Sequence, residues 1–343
     1  MPIGIVTNPR SKKNLRNPGN IRRLMDLEAE DVLVRATSDL SEIPDVIDEF
    51  LDAGCEAWIA DGGDGTLHWL LNVAGDKLKK EGRWDGVSPF PIPLSPANGG
   101  TAGFVAKKLG IKGPSDLFAQ SLIDDMRAGK TLKTQPVKTL HFSGTKVDGG
   151  EFDQLGFAAA LGGIGERFFE QYYAEPNPNK WTIIYVTMRA ALGHLASFVP
   201  VGGIGWLDRL KDYGRRMLEG TNAIVTVDDQ QFHYDTFQGL YAGAIDVDLG
   251  TIALFSYASD PDKMHYVAGA LDRIECTWKW FFLVLGRPVP GGTWHELPGI
   301  NMSVIPQGGQ TVTPVIDGEF ADTLTTIHVK PGPLVYAAMP SSK

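Results

Sequence analysis

The sequence predicts an α/β protein in which a parallel sheet with helices on both faces precedes a second, mainly antiparallel domain. Three observations carry that prediction. Short apolar runs alternate with helix-like runs through the first part of the 343-residue chain, the rhythm of βαβ units. Each of those apolar runs ends in a polar turn. Near residue 134 the rhythm changes to strand-like runs joined by turns.

Taken in order, "IGIVTN" is a short apolar strand ending at Asn8-Pro9, "VLVRAT" a second and "EAWIAD" a third. The segments between them, "IRRLMDLEAE" and "IPDVIDEFLDAG", read as helices. A fourth strand, "FPIPLSP", runs into "ANGGTAGFVAKKLG". Ligands in parallel sheets sit beyond the carboxyl ends of the strands. The turns "VTNPR", "RATSD", "ADGGDGT" and "SPANGGT" all fall there and are expected to converge on one crevice. Beyond residue 134, "VKTLHFSG", "FDQLGFAAALGG", "NAIVTVDDQQFHY" and "INMSVIPQG" read as strands. Apolar helices are expected near Trp181–Val199 and Lys263–Leu285. This places a first domain at residues 1–133 and a second at 134–329, with the tail 330–343 carrying one or two strands back to the first. No internal repeat or low-complexity tract interrupts this plan.

Composition narrows the function. A net charge of −9 argues against a nucleic-acid binder with a broad basic face. Cys55 and Cys276 form no Cys-x-x-Cys pair, so neither a disulfide framework nor a zinc site is expected, and both read as reduced thiols. No apolar run reaches membrane-spanning length, and "MPIGIVTNP" turns too soon for a signal peptide. Any membrane contact is expected from the side.

The stretch Gly62-Gly63-Asp64-Gly65-Thr66 carries the chemistry. It lies between a strand and a helix, where unpaired backbone N–H groups and the positive end of the helix dipole favour an anion. Glycines let phosphate oxygens approach the backbone. A carboxylate would repel phosphate, so Asp64 needs a task of its own: holding Mg²⁺, or accepting a proton from an attacking hydroxyl. Phosphoryl transfer needs both.

At this point the chain resembles a superfamily that shares GGDGT: diacylglycerol, sphingosine and ceramide kinases, NAD kinases and, more distantly, phosphofructokinases. "VTNPRSKKN" is similar to the first-strand motif of the lipid kinases. Asp317-Gly318-Glu319 in "PVIDGEF", followed by "VKPGPLVY", resembles their late Asp-Gly-Glu element, and Thr37 sits where they carry a nucleotide-contacting Thr. The resemblance implies a nucleotide domain followed by a β-sandwich lipid domain, with ATP and Mg²⁺ in the cleft and a lipid substrate presented by a membrane. It implies a cytoplasmic protein touching the inner face of the membrane transiently. It also implies roles. Asp64, Asp317 and Glu319 would be catalytic, with Asp64 and Glu319 at the metal. Asn8, Arg10, Thr37, Gly62, Gly63, Gly65, Thr66, Gly100 and Thr101 would hold the nucleotide. For Arg10, Lys12 and Lys13 a solvated basic loop remains the alternative reading, and for Asp317 and Glu319 an ordinary turn.

Two departures bear on the substrate. Diacylglycerol kinases usually carry Gly-Thr-x-Asn-Asp-Phe-Ala after the fourth strand, whereas here Gly103 and Phe104 replace the Asn and Asp; Asn98 is a candidate for the lost contact. "AALGGIGERFFE" is similar to a lipid-facing region in which Ile164 takes the place of an Asp while Glu166 remains, and both are candidate substrate residues. An Ile suits a neutral lipid, ceramide or diacylglycerol, better than an amine. NAD kinase is the runner-up, because "NGGTAGFV" is similar to its Asn-x-Gly-x-x-Gly-Phe turn. A non-catalytic relative that binds lipid or nucleotide is the third reading. The stretches "IIYVTMRAALGHLASFV" and "WKWFFLVLG" read as core, or as an acyl tunnel or membrane rim with Trp278, Trp280 and Phe281 outermost. His68 reads as a helix-packing residue or a group reaching the cleft.

Overall fold

The computed structural model describes residues 2–99, 103–248, 253–284, 287 and 289–341. The chain forms two compact units: Met1–His141 with Leu155–Phe157 and Gly332–Lys343, and Phe142–Gln154 with Ala158–Pro331.

In the first unit the chain runs β1 (Ile3–Thr7), α1 (Lys12–Arg16), α2 (Pro18–Met25), β2 (Val32–Ala36), α3 (Ile43–Asp52), β3 (Ala57–Asp61), α4 (Asp64–Lys80), β4 (Leu94–Ala97), α5 (Phe104–Lys108) and α6 (Ser115–Arg127). The strands pair in parallel in the order β2-β1-β3-β4. Both faces are covered, as the near-continuous apolar strands require. Ile3 and Ile5 pack with Leu24 of α2 and with Leu122, Ile123 and Met126 of α6. On the other face Gly4 lies under Phe50 of α3, so closely that a Cβ there would come within 2.7 Å of the ring. The fourth strand begins only at Leu94, because Pro91 and Pro93 carry no N–H for a ladder. The tail strand Val335–Met339 pairs antiparallel with Lys133–Val137, and Ser95 Oγ of β4 donates to Ala338 O at 2.8 Å.

The second unit holds two sheets in a sandwich-like arrangement. One runs in the order Gln230–Phe232, Thr221–Val227, Met302–Pro306, Leu324–Pro331, Leu140–Lys146, Glu151–Gly156. The other, antiparallel, runs Trp294–Gly299, Met264–Gly269, Gly239–Gly243, Ala158–Gly163, Val315–Ile316, Glu319–Phe320. Tyr266 links them: its ring is fully buried and its hydroxyl lies 3.0 Å from Ile300 O and 3.3 Å from Val329 O. Burial pushes that phenol well above its ordinary range. Four helices accompany the sheets: α7 (Ile164–Ala174), α8 (Lys180–Ala196), α9 (Gly205–Met217) and α10 (Glu275–Val284).

Three expectations change here. The apolar segment Lys263–Leu285 is not one helix: Met264–Gly269 is a fully buried strand, and only Glu275–Val284 is helical. A short apolar run buried on both faces carries no period to separate the two. "FDQLGFAAALGG" is two strands broken at Phe157. Helices α7 and α9 follow stretches in which the sequence reading placed no helix.

Candidate active site

Four strand ends meet at one edge of the parallel sheet. Thr37 N–H donates to Thr7 O at 2.9 Å and Asn8 N–H to Asp61 O at 2.8 Å. The turn after β4 joins them: Ser11 Oγ donates to Gly99 O at 3.2 Å and Lys13 Nζ to Asn98 O at 2.9 Å. β1 lies between β2 and β3, where the strand order reverses and ligands bind in such sheets.

Close approach requires glycine at two places. A Cβ on Gly99 would lie 2.8 Å from Gly62 N, and one on Gly62 would lie 2.6 Å from Thr66 Cβ. These glycines therefore let two turns lie against one another, besides baring backbone to a ligand. Gly63 is extended, with φ −86° and ψ −176°, so its conformation makes no such demand. Gly65 and Thr66 form the first turn of α4, the positive end of the helix that favours an anion; the Thr66 N–H itself donates to Gly63 O at 3.1 Å.

Asp64 is the first residue of α4 and half-buried. Its Oδ2 accepts Phe104 N–H at 3.1 Å and its Oδ1 Val105 N–H at 3.4 Å. It thereby caps α5, which is entered through Gly103 in the left-handed region at φ 55°. The Gly103-Phe104 departure thus addresses Asp64 with main-chain donors. Backbone donors leave no side-chain signature, so the sequence did not disclose this contact.

The other nucleotide candidates fall around this turn. Asn8 Oδ1 accepts Arg10 N–H at 2.8 Å, and Asn8 Nδ2 lies 3.5 Å from Thr66 Oγ1. Arg10 is exposed and Thr37 buried. Gly100 and Thr101 lie outside the described residues.

Sequence reasoning missed Asp61. It is fully buried at the end of β3, and its Oδ2 accepts Thr7 Oγ1 at 2.7 Å and Asn14 Nδ2 at 2.9 Å. Its Oδ1 has no hydrogen-bond partner, a costly state that points to a bound water or ion. The available signal was an acid ending an otherwise apolar strand. His68, by contrast, is a packing residue: it is buried, edge-on to Trp69, with Nδ1 3.4 Å from Asn72 Nδ2. Asn72 clamps Leu155 through both amide atoms, at 2.9 Å to O and 2.7 Å from N.

The remaining candidates belong to the second unit. Asp317 and Gly318 have φ 53° and 89° and join Val315–Ile316 to Glu319–Phe320 as a two-residue hairpin of the kind Asp-Gly favours. Asp317 Oδ1 accepts Ala158 N–H at 3.0 Å, and Asp317 N–H donates to Ala158 O at 2.9 Å. Tyr173 of α7 donates to Gly318 O at 2.7 Å; burial first, then Glu319, pushes its phenol up to about 12. Ile164, half-buried, and Glu166, buried, sit in the first turn of α7. Glu166 accepts Thr313 N–H at 3.2 Å, and burial raises its carboxyl to about 7 despite Arg167 at 4.0 Å. The first unit thus gathers Asn8, Thr37, Gly62, Gly63, Asp64, Gly65 and Thr66. The second gathers Ile164, Glu166, Asp317 and Glu319 around α7 and the 315–320 hairpin.

Residues 2–135 match the diacylglycerol kinase catalytic domain. Solved structures with the same fold agree over the whole chain. A diacylglycerol kinase from Bacillus anthracis str. Sterne is 12% identical with TM-score 0.57, covering 99% of this chain and 97% of that one. A putative diacylglycerol kinase from the same organism is 13% identical with TM-score 0.62, covering 99% and 98%. Yeast NADH kinase complexed with NADH is 11% identical with TM-score 0.50, covering 99% and 84%. No curated protein matches. The matched segment contains the Asp64 turn, and the α/β plan with a sandwich-like second unit is the fold of these solved structures.

Proposed function

We propose that this chain is an ATP-dependent lipid kinase that phosphorylates the primary hydroxyl of a neutral membrane lipid, ceramide first and diacylglycerol next. The observation that carries it is the Asp64 carboxylate, fixed by Phe104 and Val105 N–H at the head of α4, the helix end that favours an anion. In this reading the first turn of α4 and the Gly62-Gly63 backbone hold ATP phosphates, with Asn8, Arg10 and Thr37 around the nucleotide. Asp64 takes the proton of the lipid hydroxyl as its oxygen bonds to the γ-phosphorus and the bond to ADP breaks. Asp317 and Glu319, on the hairpin of the second unit, stand in this reading as further catalytic acids.

Among the described residues, no group of three or more His, Cys, Asp or Glu side chains could hold a metal. Mg²⁺ would arrive with ATP, its shell largely phosphate and water, and the Asp64 carboxylate would meet it. When bound, the ion would neutralise charge developing on the transferred phosphoryl group. EDTA should abolish turnover and Mg²⁺ restore it; activity surviving chelation would defeat this part of the reading.

Substrate choice is supported by Ile164, half-buried in the first turn of α7, and by Glu166, whose raised carboxyl is largely neutral below pH 7. A lipid ammonium desolvated beside them would lack a charged partner, a cost of several kcal/mol. The test is labelled ATP against ceramide, sphingosine, diacylglycerol and NAD. Ceramide should exceed sphingosine by a large factor in kcat/KM, and equal use would overturn the assignment. The shared fold with yeast NADH kinase keeps NAD in the panel. Phosphorylation of NAD with no lipid turned over would move the protein to that activity.

A further inference from the structure

Helix α8 presents its apolar face outward. Trp181, Ile184, Tyr185, Met188, Leu192 and Leu195 recur at helical spacing, so they share one face, and all are exposed, Trp181 to 77% and Ile184 to 53%. The opposite face is the packed one. Val186 and Ala190 are buried with Met217 of α9, and Gly193 meets Gly214 so closely that a Cβ on Gly193 would lie 2.8 Å from Gly214 N. A helix apolar on both sides is ordinarily buried on both, and here the second face has no cover among the described residues. The turn after α8 continues the surface with Phe198, Val199, Val201, Ile204 and Trp206, all exposed. Lys211 Nζ pins that turn by donating to Val199 O at 2.8 Å and Val201 O at 2.5 Å. So large an apolar surface marks an interaction site.

Charge identifies the partner. Residues 180–217 contain six basic side chains (Lys180, Arg189, Arg209, Lys211, Arg215 and Arg216) against two acids, Asp208 and Asp212, a net +4 in a chain of net −9. An open hollow of about 580 Å³ is lined by four arginines, Arg167, Arg189, Arg209 and Arg216, against three acids, Glu170, Asp212 and Glu219. Arg189 stacks on Tyr213 with its guanidinium 4.1 Å from the ring centre. Arg209 and Arg216 have no acidic partner among the described residues. Apolar side chains rimmed by tryptophan, tyrosine and arginine match a bilayer interface bearing anionic headgroups.

We infer that the α8–α9 hairpin is the membrane-docking surface of this protein, seating its apolar face in the acyl boundary of an anionic bilayer with phosphate headgroups against Arg189, Arg209 and Arg216. Its purpose rests on the lipid-kinase reading, but its test reads binding and not turnover. The full chain is floated with vesicles of phosphatidylcholine alone and of phosphatidylcholine with phosphatidylglycerol. Wild type should float with the anionic vesicles. Met188→Glu with Leu192→Glu should cut the bound fraction at least tenfold, since both positions are exposed and the change puts charge in the acyl region. Arg209→Ala with Arg216→Ala should cut anionic binding about tenfold or more, at roughly a factor of five for each cation near the surface, and leave neutral vesicles unaffected. Wild type that stays unbound, or a double-glutamate variant that binds normally, would overturn the assignment. So would a solution dimer that the double-glutamate change splits with no effect on vesicle binding. Turnover of a short-chain soluble lipid should survive in that variant, and its parallel loss would place the face in the substrate pocket instead. Should no lipid be phosphorylated at all, the kinase reading fails while the vesicle result stands.

Discussion

Two Asp-Gly steps, Asp64-Gly65 and Asp317-Gly318, look alike in the sequence and are built differently. Asp64 starts a seventeen-residue helix in ordinary helical conformation, and its carboxylate reaches across to the N–H groups of a second turn. Asp317 sits in the left-handed region at φ 53°, and its carboxylate folds back on the neighbouring strand at Ala158. At the first step, side chain and helix N-terminus act on a common space. At the second, the side chain secures a hairpin. An acidic motif is therefore read by what its backbone is doing, as well as by its letters.

The strongest way to break this comparison is Asp64→Asn. It keeps size while removing basicity and charge, and its single amide oxygen can accept only one of the two N–H groups, so turnover should fall roughly 10²–10⁴-fold with a modest drop in the unfolding midpoint. Near-normal turnover in the folded variant would remove Asp64 from the reaction. Asp317→Asn should sharpen the contrast. Asn tolerates the left-handed region and can still accept from Ala158, so stability should hold while turnover falls by about tenfold or more if the charge serves the phosphoryl group. Unchanged turnover would reduce Asp317 to a hairpin residue.

Gly99→Ala tests the packing of the nucleotide turns. The new Cβ would strike Gly62 backbone and the Asp61 carboxylate, so urea unfolding should lose about 1–3 kcal/mol, with weaker nucleotide binding. A neutral result would show that the turns have room to part.

Glu166 shows in the pH dependence of stability and not in turnover. Its folded carboxyl titrates near 7, against 4.5 for the ordinary group. The folded form therefore holds its proton after the unfolded chain has released it. Stability from this group is full below pH 4.5, falls as pH rises from 4.5 to 7, and then levels off, for a total of about 3 kcal/mol. Glu166→Gln should flatten that slope, and so leave the protein more stable than wild type at pH 8. A parallel pH profile in both proteins would contradict the buried-acid description.

Much of this was legible without coordinates. Alternating apolar and amphipathic runs announced β1 to β4 and the helices between them, because a strand that must bury both faces cannot carry polar residues. The Gly-Gly-Asp-Gly-Thr turn between β3 and α4 was legible because glycine and aspartate are unusual where a strand hands over to a helix. Other features were not. Asp61 is an ordinary letter until Thr7 and Asn14 close on it, and the donors to Asp64 are peptide groups common to every residue. Met264–Gly269 was read as helix because its apolar run has no period to betray a strand.

The sequence by itself determined the order of strands β1 to β4 and the position of the Gly-Gly-Asp-Gly-Thr turn at the head of α4, since both follow from local composition and spacing. Tertiary structure alone decided which face of α8 is covered, which carboxylate oxygens are taken by backbone, and why Gly62 and Gly99 must lack side chains. Those depend on contacts between residues far apart in the chain, as with Gly193 against Gly214, and a helix apolar on both sides does not declare in its sequence which side its neighbours will claim.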